Sequence, residues 1–170
     1  MGQITAPAGL TKDHDISQFD CGNDSLNGWL ENKVLSNDTR DASRCFVICD
    51  NNKVIGYYAF ATGAVDRSEA PSKTRRNMPN PIPVLVLGRL AIDSNHQGQR
   101  LGSHLLKDCM LRAIAVSEHV AFKALLVYAI SEDAKRFYEN FGFKESPIDP
   151  MTLLLSLSDI RQHFEESLGD

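Results

Sequence analysis

Residues 88–106, GRLAIDSNHQGQRLGSHLL, close one element, turn, and open another. The run from Val84 to Ile92 is apolar except at Gly88 and Arg89, which reads as a buried strand with a bulge or bend at Gly88. Asp93 to Gln99 is polar and reads as a loop. From about Leu101 to Val116 the residues Leu101, Leu105, Cys109 and Ile114 line one face of a helix. In such a strand-loop-helix unit the backbone N–H groups from Gln97 to Gly102 converge on one anion, and the head of the helix adds about half a positive charge. Gly98 and Gly102 admit that anion without a Cβ clash. Arg100 is a fixed cation for a second phosphate. The stretch reads as a pyrophosphate cradle, although two glycines in such a turn also serve purely backbone purposes.

A second informative stretch follows in LLVYAISEDAKRFYENFGF, residues 125–143. Ala124–Ile130 reads as another buried strand, and Ser131-Glu132-Asp133 as the cap of a helix that ends near Phe141-Gly142-Phe143. Phe137 reads as core. Tyr138, about 100° further round the helix, is free to line a cleft.

Nearer the N-terminus, Leu26, Trp29, Leu30 and Val34 mark an amphipathic helix capped by Asn23 or Asp24. Arg44–Cys49 and Val54–Val65 read as strands joined by the turn Asp50-Asn51-Asn52-Lys53. Residues 66–83 carry four prolines and read as a loop with one short helix. Thr152–Leu157 reads as a strand, followed by a largely polar helix capped by Ser158. The order predicts one mixed α/β domain over residues 1–170, with an acidic segment after about 145.

With 42% hydrophobic and 24% charged residues, the composition excludes a disordered or collagen-like chain. No apolar run reaches the roughly 18 residues of a membrane span, and Met1–Thr5 has neither the basic nor the apolar region of a secretory signal. Gly2 fits the start of a lipidation motif, but Ala6 breaks that motif. The net charge of −4 argues against nucleic-acid partners, yet the average conceals an asymmetry. Between Arg67 and Arg100 six cations face two anions; between Glu145 and Asp170 one cation faces six anions. Local field, rather than net charge, steers an anionic ligand, and the acidic segment is expected to lie away from the cations. Cys21, Cys45, Cys49 and Cys109 lack metal-binding spacing and read as small buried hydrophobes in a reducing compartment; Cys45 and Cys49 share a strand face with Val47. The five scattered histidines suggest no metal site.

The two stretches in this order resemble the Gcn5-related N-acetyltransferases, the GNAT superfamily. Its coenzyme motif, Arg/Gln-x-x-Gly-x-Gly/Ala, is matched by Gln97 and Gly102, with Arg100 in place of the first glycine. Its second motif, Asn-x-x-Ala-x-x-x-Tyr-x-x-x-Gly-Phe, is matched by Ala134, Tyr138, Gly142 and Phe143, with Ser131 in place of asparagine. The stretches DISQFDCG, SRCFVICD, YYAFATG and RRNMPNPIPV further resemble the TacT and AtaT group of toxins within that superfamily.

The resemblance implies a GNAT fold: a central mixed, mostly antiparallel sheet, a V-shaped splay between two parallel strands, and helices on both faces. It implies acetyl-CoA as co-substrate and no metal. Pantetheine would run along Leu90, Ala91 and Ile92. The pyrophosphate would lie on Gln97, Gly98, Gln99, Arg100, Leu101, Gly102 and Ser103, with Ser131 and Phe137 also at the coenzyme. Tyr138 would be the general acid that protonates the thiolate leaving group. The reaction implied is acetylation of the α-amine of aminoacyl-tRNA, which blocks translation. Partners would be a ribbon-helix-helix antitoxin and a second copy of the chain, in the cytoplasm. Lys33, Arg40, Lys73, Arg75, Arg76 and Arg89 would meet tRNA phosphates; for each, a solvated face is the alternative, and for Arg89 an ion pair. The strand Val84–Ile92 carries no Asp or Glu to act as base, which suits an α-amine, ordinarily titrating near 7.7–8.0, better than a lysine near 10.4. The alternative acceptor is a small amine or a protein N-terminus.

Overall fold

The computed structural model describes residues 3–32 and 39–169. In chain order the elements are β1 (Ala8–Gly9), α1 (Asp24–Asn32), β2 (Arg44–Asp50), β3 (Lys53–Val65), α2 (Ser72–Arg75), β4 (Ile82–Ile92), α3 (Leu101–Ser117), β5 (Ala124–Tyr128), α4 (Glu132–Glu139), β6 (Lys144–Ser146), β7 (Asp149–Ser156) and α5 (Leu157–Gly169). Single 3₁₀ turns occupy Arg67–Glu69 and Ser94–His96. The strands follow the order β1-β2-β3-β4-β5-β7-β6. Only the β4–β5 register is parallel among those described, so the sheet is mixed and mostly antiparallel, as expected. That register runs from Val84↔Ala124 to Leu87↔Val127 and stops one residue before Gly88.

Two compact units share the chain: Met1–Ala61 with Gly88–Cys109, and Thr62–Leu87 with Met110–Asp170. In the first, β2 and β3 form a hairpin closed by Asn51 and Asn52, at φ 51° and 73°. Asparagine tolerates the left-handed region that a tight primed turn demands, and this sets the register. Cys45, Val47 and Cys49 share the core with Leu30, Val54, Tyr57 and Ala91, as their spacing predicts. Asn23 caps α1 through a 3.1 Å bond from Leu26 N; Val34, predicted for the same helix, lies outside the described residues. Helix α3 buries Leu105, Leu106, Cys109, Met110 and Ala113, spaced to form one stripe.

In the second unit Val84, Ala124, Leu126 and Leu154 pack with Val65, Ala70 and Ile82. Segment 66–83 is more ordered than its prolines suggest. Asp66 and Glu69 form a reciprocal capping box, and Asn80 bonds both Arg67 N (2.9 Å) and Asp66 (3.3 Å). The backbone N–H of Ser68 is the main reason Asp66 titrates below the usual carboxylate range. The cap of α5 is Ser156, which accepts from Asp159 N at 3.2 Å, rather than Ser158, since β7 ends and α5 begins without a loop. Strands β1 and β6 escaped prediction because two or three residues are too short to show a period.

Candidate active site

The first unit holds the predicted cradle. Strand β4 ends at Ile92, and Asp93, only 7% exposed, takes over. Its carboxylate accepts from Asp20 N (3.0 Å) and Asn95 N (3.1 Å). The side-chain amide of Gln97 donates to Ile92 O (3.0 Å) and Cys21 O (3.3 Å). Gln97 therefore braces the loop with its side chain and leaves its backbone N–H to the cradle.

Gly98 has φ +82°, and a Cβ built there would meet nothing within 4 Å. Arg100 has φ +62° and its carbonyl accepts the first helical bond, from His104 N at 3.2 Å. The family's missing glycine is thus replaced in residue type but not in conformation: the backbone still turns left-handed. Alternating handedness next to a helix head makes a concave nest of N–H groups. Leu101, Gly102 and Ser103 occupy the first turn of α3, whose N–H groups have no intrahelical acceptor. A concave nest, an open Gly98 and an exposed Arg100 suit a pyrophosphate. Because a non-glycine residue in this region costs about 1–2 kcal/mol and glycine loses part of that to chain entropy, Arg100→Gly is expected to hold or raise stability, by about 1 kcal/mol at most, while weakening acetyl-CoA binding several-fold. A thermal melt and calorimetry on the same sample check both.

Leu90 and Ile92 are half-buried at the end of β4, and Ala91 is buried. Arg89 lies with its guanidinium 4.6 Å above the Trp29 ring. Trp29 stacks on Tyr57 at 5.7 Å, and Phe19 meets the same Tyr57 edge-on. Arg89 is thus held by a cation–π contact, and among the described residues no ion pair, the alternative reading for it, is seen. Burial pushes the Tyr57 hydroxyl well above its usual titration range, and it donates to Leu26 O at 2.7 Å. Arg40 is exposed, and Lys33 lies outside the described residues.

The second unit holds the other predicted groups. Ser131 caps α4, accepting from Ala134 N at 3.1 Å. A hydroxyl keeps one proton to donate while it accepts, so capping leaves Ser131 a donor. Tyr138 is 8% exposed and Phe137 is half-buried, the reverse of the predicted order. The reason lies at the helix end. Gly142, at φ +97°, closes a Schellman motif in which Phe143 N bonds Tyr138 O (3.3 Å) and Gly142 N bonds Glu139 O (2.9 Å). The apolar contact that accompanies this motif is Phe143 against Tyr138, ring centroids 5.4 Å apart. The terminal Gly-Phe pair therefore seats the tyrosine four to five residues upstream. Gly142→Ala is expected to cost about 1–2 kcal/mol through the left-handed penalty, read by urea denaturation, and to loosen that seat.

Lys73, Arg75 and Arg76 sit together in and just after α2. Arg67 Nη2 donates to Arg75 O at 3.3 Å. Lys73 is bound to Asp159 at 2.8 Å, which holds that carboxyl below its usual range. The expectation that the acidic segment avoids the cations fails at this pair, because α5 starts directly from β7 and brings Asp159 to Lys73. Arg76 is exposed and Arg75 half-buried.

Asp93 and Trp29 were missed as functional supports. The signal for Asp93 was present, since Asp-Ser-Asn after a strand favours an Asx turn. That for Trp29 was not, because it depends on which strand faces α1. Among the described residues no group of three His, Cys, Asp or Glu is placed to hold a metal ion, and no helix is long and apolar enough to cross a membrane.

Residues 41–145 match the family model described as Acetyltransferase (GNAT) domain. A tRNA-acetylating toxin of Mycobacterium tuberculosis is 41% identical over 161 residues, covering 95% of this chain and 97% of that protein. The structure of AtaT complexed with acetyl-methionyl-tRNAfMet superposes with TM-score 0.88 at 30% identity, covering 95% of this chain and 99% of that one. A tyrosine-to-phenylalanine mutant of AtaT bound to the C-terminus of the antitoxin AtaR and acetyl-CoA gives TM-score 0.81 at 28% identity, covering 96% of this chain and 99% of that one.

Proposed function

The chain belongs to the GNAT acetyltransferase family, an acetyl-CoA-dependent N-acetyltransferase, and on that premise we propose that it is a toxin that acetylates the α-amine of aminoacyl-tRNA and so blocks translation. The observation that carries the acceptor is the 41% identity, spread over 95% of the chain, with a protein named for tRNA acetylation. The AtaT complex with an acetylated aminoacyl-tRNA supports the same reading.

The residues suit the reaction. The nest from Gln97 to Ser103 holds the pyrophosphate, with Arg100 on a second phosphate. Leu90, Ala91 and Ile92 offer backbone groups to pantetheine, in the manner of an added strand. Ser131, which keeps a proton to donate, and Phe137 are the second unit's candidates for coenzyme contact. The amine nitrogen attacks the thioester carbonyl, the C–N bond forms, and the tetrahedral oxyanion collapses with loss of the C–S bond. Tyr138 gives its phenolic proton to the departing thiolate, and the proton shed by the acylated nitrogen passes through solvent to restore the phenol. The amine must reach the site neutral. An α-amine beside an electron-withdrawing ester does so at pH 7 without a strong base, and β4 offers none. Arg40, Lys73, Arg75, Arg76 and Arg89, with Lys33, contribute sequence-independent phosphate affinity.

The AtaT structure bound to its antitoxin supports an antitoxin partner; a ribbon-helix-helix class for it, and a homodimeric toxin acting in the cytoplasm, rest on the family resemblance. The test supplies labelled acetyl-CoA with total charged tRNA, beside the same tRNA stripped of amino acids. Label is expected on charged tRNA alone, released by mild alkali together with the amino acid. Label on free amines or protein N-termini instead would move the acceptor to that class.

A further inference from the structure

We infer that Asp93 and His96 are positioning residues for coenzyme binding, a role that rests on reading residues 97–103 as the pyrophosphate cradle. The cradle asks for two left-handed residues, Gly98 and Arg100. Such a backbone persists only where its surroundings over-determine it. The restraint lies just upstream, within the same compact unit.

One side of Asp93 is tied to the N-terminal segment. Its Oδ1 accepts from Asp20 N at 3.0 Å, and Ser94 N returns a bond to Asp20 O at 2.8 Å. The other side meets His96, whose Nδ1 lies 3.3 Å from Asp93 Oδ2. Across the ring, His96 Nε2 lies 3.6 Å from Asp50 Oδ2, at the end of β2. Asp50 Oδ1 is buried and has no hydrogen-bond partner among the described residues, so the contact of Oδ2 with the imidazole is the tie this carboxylate offers to the loop. A carboxylate–imidazole–carboxylate bridge thus fastens the loop entrance to the β2–β3 hairpin, and Asp93 fastens it to the Asp20 turn. Gln97 follows directly, so any slack at His96 passes into the nest.

The bridge lines a cavity of about 220 Å³, with Asp15 and Lys53 also on its wall. Those groups, with Asp50 and Asp93, are the charges that face the imidazole. An imidazolium donates from both nitrogens, whereas the neutral ring donates from one.

The test measures steady-state kinetics with acetyl-CoA varied against saturating acceptor, plus acetyl-CoA binding by calorimetry. His96→Ala is expected to raise the acetyl-CoA KM and Kd about tenfold, with kcat and the acceptor KM within twofold. His96→Asn, whose amide can still donate to Asp93, is expected to recover most of the affinity. If His96→Ala leaves KM and Kd unchanged, or lowers kcat alone, the positioning role is overturned. Should His96→Ala fail to fold, Asp50→Asn, which weakens the other end of the bridge, decides: it is expected to raise the acetyl-CoA KM and Kd, and leaving both unchanged overturns the role. Gly98→Val separates the two readings. If it weakens coenzyme binding while the His96 variants do not, only the positioning role falls. If neither affects binding, the cradle itself is misassigned and the positioning role falls with it.

Discussion

Tyr138→Phe is expected to lose between about 10² and 10⁴ of the turnover number, the usual worth of a positioned acid, while binding acetyl-CoA as tightly as the native enzyme. The substitution deletes one oxygen and keeps the ring. The contacts that seat that ring, with Phe143 at 5.4 Å and Phe137 at 5.2 Å, are made by its carbon face and edge, so the ring should stay seated. Single-turnover assays beside calorimetry separate the two quantities. Turnover within threefold of native would remove Tyr138 from the proton transfer, and a matching loss of coenzyme affinity would make it a binding residue instead.

The double charge reversal Arg75→Glu/Arg76→Glu is expected to weaken aminoacyl-tRNA binding roughly 30-fold near 0.15 M salt and to flatten the salt dependence by about 1.8 in log–log slope, corresponding to two phosphate contacts. Acetylation of a free amine by the same variant should be unchanged. The local backbone stays anchored, because buried Thr74 and the bond from Arg67 to Arg75 O do not involve the charges being reversed. Lys73→Glu serves as the contrast. Its ammonium is already engaged with Asp159, so it contributes less to phosphate affinity and its reversal should cost less. Equal salt slopes for native and double variant would detach α2 from the RNA.

Much of this was legible in one dimension. The apolar run into Gly-Gln-Arg-Leu-Gly marked the strand, loop and helix of the cradle, because a nest at a helix head is local chemistry over six residues. The Asn51-Asn52 turn and the Ser131 cap were legible for the same reason, whereas the parallel pairing of β4 with β5 was implied only by the family resemblance. Tyr138 was found by its place in a motif, but its burial was misjudged: the 100° offset from Phe137 says that the two rings diverge, not which one the C-terminal Gly-Phe pair will cover. Lys73 was counted as a free cation because Asp159 lies 86 residues away and only the β7–α5 junction brings it near.

Local pattern therefore sets the order of elements, the left-turning loop at the head of α3 and the types of groups available for thioester chemistry. These follow from hydrogen bonds and dihedral preferences that act within a few residues. Long-range packing alone lays Arg89 on Trp29 and stands His96 between Asp50 and Asp93. Each depends on which segments meet after folding, and their free energy comes from burial and charge compensation between residues far apart in the chain, which no short stretch of sequence encodes.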